Sequence, residues 1–142
     1  MDFQDNGCLP VGIHTMTFDE FTAAFGYNDH RKKLISGLKR GIDDLIICGC
    51  STLYVDGSFT TTKSHPKDFD ACWDEIGVSL LTLKIDYPIL WDFTNERKRQ
   101  KDYYFGEFFP MRVKATPADI FKVFFQKDKD GNPKGIVQLI LK

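Results

Sequence analysis

Asp68-Phe69-Asp70 is the feature that most restricts how this chain can fold. The stretch KDFDACW reads as a β-strand. Alternation then puts Asp68, Asp70 and Cys72 on one face, and Phe69, Ala71 and Trp73 on the other. Two carboxylates on one strand face repel each other, and taking either out of water is costly. A divalent cation is the usual compensator. Residues i and i+2 of a strand lie roughly 6.5–7 Å apart, so their carboxylates can lean together over metal ions. Oxygen ligands of this kind suit Mg²⁺ or Mn²⁺.

The preceding apolar run, STLYVDGS, reads as a strand that ends in Gly57-Ser58. Glycine lets the backbone approach a phosphate, and exposed N–H groups with the Ser58 hydroxyl can donate to it. A phosphate cradle beside a carboxylate pair is equipment for nucleotidyl transfer. A third carboxylate completes such a cage. Asp92, in the apolar run YPILWDF read as a strand, is the first choice, and Asp86 the second. Plainer readings stand beside these. Asp68 and Asp70 could flank a solvated turn, Ser58 could only cap a helix, and Asp92 could pair with Arg97 or Lys98.

The rest of the chain supports one domain over residues 1–142, with a core at 28–95 and a C-terminal helix and strand at 116–142. Thr17 and Glu20 form a capping box before Phe18, Phe21, Ala24 and Phe25. Asn28 or Asp29 caps a second helix with an apolar stripe from Leu34 to Ile46, stopped by Gly49. Residues 1–16 read as irregular, VSLLTLKI as strand or helix, and TNERKRQKDYYFGEFF as helical at its start. TPADIFKVFFQ reads as a helix capped by Thr116, DKDGNPKG as a turn, and IVQLILK as a strand. The order predicts an α+β fold, an α/β sandwich in which a mixed sheet packs against helices.

Net charge is −1, which excludes a generally basic nucleic-acid coat. The HRKK and ERKRQK clusters read as solvated helix faces, with RNA or an acidic partner as the alternative. The phenylalanines from Phe108 to Phe125 read as core or interface before base-stacking platforms. Four cysteines without a zinc spacing read as reduced thiols. No run has signal or membrane-span length, so a soluble cytoplasmic protein is expected. No GxxxxGKS/T, GxSxG or HExxH motif occurs.

Gly57-Ser58, Asp68-Phe69-Asp70 and Asp92 together resemble the nucleotidyltransferase superfamily that includes DNA polymerase beta. They are most similar to the minimal nucleotidyltransferases of bacterial toxin–antitoxin loci, over about residues 30–95. A closer likeness, from LPVGIH through DGSF and DFDACWD to FFQKDKDGNPKGIV, is to a family of small bacterial and phage-associated proteins. The superfamily resemblance implies Asp68, Asp70 and Asp92 as catalytic residues and Mg²⁺ or Mn²⁺ ligands, with an NTP as substrate. Gly57 and Ser58 would hold its β- and γ-phosphates. Active minimal enzymes carry an Ala-Arg-Gly-like step in the connector, whereas FTTTKSHP has neither Arg nor Gly, so Lys63 or Lys67 would supply the positive charge. The function expected is transfer of NMP to a protein or RNA hydroxyl, such as a tRNA end, in a toxin–antitoxin or phage-defence setting. The alternative is a catalytically weak or inactive relative that binds a toxin or antitoxin partner.

Overall fold

A computed structural model describes residues 3–141. The terminal Lys142 of the expected last strand lies outside them. The fold is α+β, as expected: a five-stranded mixed sheet with its main helices packed on one face.

The helices form where the capping signals put them. Thr17 closes both halves of its capping box on α1 (Phe18–Phe25), and Asn28 accepts from the Arg31 N–H at the start of α2 (Asp29–Ile47). The α2 stripe of Leu34, Ile35, Leu38, Ile42 and Leu45 is buried. Gly37 and Gly41 lie on the same helix. A side chain at Gly37 would strike the Tyr104 carbonyl and one at Gly41 the Phe108 ring, so both glycines admit close neighbours.

The strands are β1 (Ile13–Met16), β2 (Thr52–Asp56), β3 (Phe69–Trp73), β4 (Gly106–Pro110) and β5 (Ile136–Ile140). Their order is β1-β5-β2-β3-β4. β2 runs antiparallel to β3 and to β5, while β3–β4 and β1–β5 are parallel pairs. A parallel pair needs a long crossover, and α3 (Leu80–Asp86) and α4 (Thr94–Tyr104) supply it between β3 and β4.

Four expectations are corrected here. The end of the irregular N-terminal segment is edge strand β1. YPILWDF is not a strand: Pro88–Trp91 forms a 3-10 turn, with Pro88 at its start where the missing N–H costs least. The strand in this region is β4, inside the stretch read as the tail of a helix. Thr116 does accept from the Ala118 and Asp119 N–H groups, but it closes a turn, and the helix there is only α5 (Phe121–Phe124).

Each strand divides its side chains between two faces. Leu53, Val55, Phe69, Ala71, Trp73, Phe108, Val137 and Leu139 point into the main core beneath the helices. Tyr54, Cys72 and Ile136 point the other way, into a small cluster with Met111 and Phe125.

Candidate functional site

The site follows from strand register. Asp56 on β2 pairs with Asp70 on β3, and Asp70 pairs with Glu107 on β4. Neighbouring strands lie about 4.8 Å apart, so these three carboxylates form a row across the sheet. All three sit on the face opposite the helices, because their strand neighbours Val55, Phe69, Ala71 and Phe108 are in the main core. Asp68 lies just before β3, two residues from Asp70.

Charge is unevenly distributed along the row. Lys134 Nζ lies 2.8 Å from Asp56 Oδ1 in a largely buried ion pair. Burial still outweighs that ammonium and holds the Asp56 carboxyl above its ordinary range. At the other end Glu107 Oε1 receives Arg97 at 3.4 Å and Lys101 at 3.1 Å. Asp70, in the middle, has no ion pair among the described residues. Burial first, then Glu107, Asp68 and Asp56, push its carboxyl up to about 8. Asp68 is also raised, by burial and then Glu107, against the pull of Lys101, Lys67 and Arg97. At neutral pH the row therefore carries a proton on Asp70 that a bound cation would expel.

Gly57 makes the row possible. Its φ of 88° and ψ of −169° suit only glycine, and a Cβ there would meet Asp70 Oδ2 at 2.8 Å. Ser58 opens a 3-10 turn, Ser58–Thr60, beside β3. Arg31 holds the connector that follows. Its guanidinium is wholly buried with no carboxylate partner among the described residues. It donates to the carbonyls of Phe25, Phe59, Thr61 and Lys63. The HRKK cluster is therefore not simply a solvated face, since its Arg31 is buried against the connector.

Of the residues expected from sequence, Gly57, Ser58, Asp68 and Asp70 come together. Lys67 lines a cavity of about 370 Å³ with Asp68, His30, Lys33 and Lys101. Lys63 is exposed and is held through its carbonyl, by Arg31 and Tyr27. Asp92 is not on a strand. It follows the 3-10 turn, accepts from the N–H and hydroxyl of Thr94, and pairs with Arg99 at 3.0 Å, not with Arg97 or Lys98. Those partners hold its carboxyl below the usual range. Asp86 ends α3 and lines a separate cavity with Asp44 and Tyr87. The carboxylate that the neighbouring strand sets beside Asp70 is Glu107. Its signal was the alternation in FGEFFP, a lone Glu between phenylalanines.

Arg97 reaches Glu107 from an unusual backbone. Asn95, Glu96 and Arg97 have φ of 51°, 56° and 60°, a left-handed turn at the start of α4. Non-glycine residues in that region are strained, and such strain gathers at functional sites. The ERKRQK cluster is therefore partly committed: Arg97 and Lys101 serve Glu107, and buried Gln100 joins the Leu90 carbonyl to the Phe108 N–H.

Among the described residues, no three His, Cys, Asp or Glu side chains already stand as a metal cage. Asp56 and Glu107 are turned to basic partners instead. The donor set of Asp68, Asp70 and Glu107 nevertheless fits a hard divalent cation, being all carboxylate oxygen. The four cysteines are free, and Cys48, Cys50 and Cys72 are buried. No helix among the described residues is long and apolar enough to cross a membrane.

Residues 1–140 match the model of a family of unknown function, DUF6932, and the chain belongs to that family. No curated protein and no solved structure matches it.

Proposed function

We propose that this member of a family without an assigned activity is a metal-dependent nucleotidyltransferase, moving NMP from an NTP to a hydroxyl of a protein or RNA. The observation that carries the reading is the carboxylate row Asp56–Asp70–Glu107 facing the Gly57-Ser58 bend. Glu107 takes the third-carboxylate position for which Asp92 was the sequence choice. A toxin–antitoxin or phage-defence setting and a cytoplasmic location belong to the same proposal.

Asp68, Asp70 and Glu107 would hold Mg²⁺ or Mn²⁺. The bound cation would neutralise the triphosphate and ease the departure of pyrophosphate. The main-chain N–H groups at Gly57 and Ser58 hold the β- and γ-phosphates, with Lys67, Lys33 and Lys101 balancing charge from the adjoining cavity. The acceptor oxygen bonds to the α-phosphorus while the bond to pyrophosphate breaks. Glu107 would receive the hydroxyl proton.

One observation favours a second reading. Lys134, Arg97 and Lys101 already neutralise both ends of the row, as in a non-catalytic module that binds a partner. Calorimetric titration with ATP, GTP, CTP and UTP in the presence of Mg²⁺ or Mn²⁺ separates the two. The enzyme reading expects binding that Asp70→Ala and Glu107→Gln each abolish. It is sunk by no binding of any nucleotide, or by binding that both variants retain.

A further inference from the structure

Beside the carboxylate row lies a groove of about 240 Å³ between the 3-10 turn, the start of α4 and the outer face of β4. Trp91, Phe93, Phe109, Val113 and Phe121 line it, and Arg97 is its one charged side chain. The groove is continuous with the row. Arg97, Phe109 and Phe121 also line the adjoining cavity that contains Asp70 and Glu107.

Ring pairs in the core are mostly tilted or edge to face, with Phe21 and Phe59 stacked at 16°, whereas three rings of this groove lie parallel. Phe69 and Phe108 meet edge to face at 80°, and Tyr104 meets Phe108 at 73°. Phe93 and Phe109 are within 9° of parallel, and Phe109 and Phe121 within 11°, so three rings share one orientation. All three are half-buried, so part of the array meets solvent. The Arg97 guanidinium stands 5.6 Å from the Phe109 centroid, and its Nε–H is buried without an acceptor.

We infer that this groove is the nucleobase subsite for the NTP, and that it holds the base by stacking without reading its edge. The inference rests on the nucleotidyltransferase reading and deepens it. A parallel ring array receives a flat heteroaromatic ring, and the volume suits one ring system, being below that of sites for drug-sized ligands. Continuity with Asp70 and Glu107 joins the base to a triphosphate at the row. Among the described residues the Arg97 Nε–H has no acceptor, and beside the groove it would serve the ribose rather than a base edge. Among the described residues no Asn, Gln, Asp or Glu lines the groove to tell amino from carbonyl edges. The site therefore takes purines of either edge pattern, and ranks bases by stacking area.

Calorimetry with Mn²⁺ and inorganic tripolyphosphate, ATP, GTP or UTP tests this. ATP and GTP are expected to bind alike, UTP more weakly, and ATP about tenfold or more tighter than tripolyphosphate, as one stacked base warrants. Phe93→Leu and Phe121→Leu keep the apolar volume and remove a ring face. Each should weaken ATP several-fold and leave tripolyphosphate unchanged. Tripolyphosphate binding as tightly as ATP overturns the subsite while sparing the enzymatic reading; the groove would then serve an acceptor. A tenfold gain for ATP that neither variant alters places the base elsewhere, and strong discrimination of ATP from GTP refutes readout by stacking. If neither tripolyphosphate nor any nucleotide binds, the enzymatic reading and the subsite fail together.

Discussion

The two faces of the central sheet are built from alternate residues of the same strands, yet they do opposite work. On the helix side Leu53, Val55, Phe69, Ala71, Trp73 and Phe108 are sealed from solvent under α1, α2 and α4. On the other side Asp56, Asp70, Glu107 and Phe109 lie under a thin cover made by the segment around α5 and Lys134. The first face has little beyond packing to offer. The second gives up apolar contact to gather carboxylates that repel one another. The comparison teaches that stability and the candidate chemistry are separated by a single step along each strand.

Substitutions can break that comparison from either side. The largest effect belongs to the sealed face. Phe108→Ala should cost about 3–5 kcal/mol in urea denaturation, by cavity formation, with little dependence on pH. If its cost changed steeply with pH, the two faces would not be separable.

Next comes Asp70→Asn. The folded chain holds a proton on Asp70 up to about pH 8, against an ordinary value of 3.8 for the unfolded chain. Its contribution is fully present below about pH 4 and is lost as pH rises through about 8. Wild-type stability should therefore fall over that window by a few kcal/mol, and Asp70→Asn should flatten the fall. Mn²⁺ should restore part of the lost stability, and its affinity should rise with pH as the proton leaves. Equal slopes for wild type and variant would remove Asp70 from the account.

A smaller effect is expected from Gly57→Ala, about 1–3 kcal/mol from the forced backbone alone, together with displacement of the Asp70 carboxylate. Its distinguishing sign is a changed pH slope, read in the same denaturation series. The smallest belongs to Thr17→Ala, which removes a cap far from both the row and the groove. A loss of about 1 kcal/mol with unaltered Mn²⁺ binding is the expected result.

Sequence reasoning reached the half of the site that is local. Gly57-Ser58 follows β2 and Asp68-Phe69-Asp70 opens the antiparallel β3, so their meeting needs only one hairpin-like connection. Glu107 comes from a parallel neighbour, after a crossover through α3 and α4, and parallel pairing leaves no short-range mark. Asp92 was misplaced because PILWDF has the composition of a buried strand. Pro88 and the Asp92–Thr94 hydrogen bonds turned it into a 3-10 turn and an Asx cap. Capping signals were legible at Thr17 and Asn28, where a helix followed directly. At Thr116 the same signal closed only a turn, and the helix α5 begins five residues later without a side-chain cap.

The grip of Arg31 on the connector has a consequence for how such chains are compared. A guanidinium that fastens main-chain oxygens is indifferent to the side chains those residues carry. The loop's path is thus set in part from α2, about thirty positions upstream, together with the buried Phe59 ring and the Thr60 and Thr61 hydroxyls, which donate to the carbonyls of the bend. Searching that loop for its own anchoring arginine looks in the wrong helix turn.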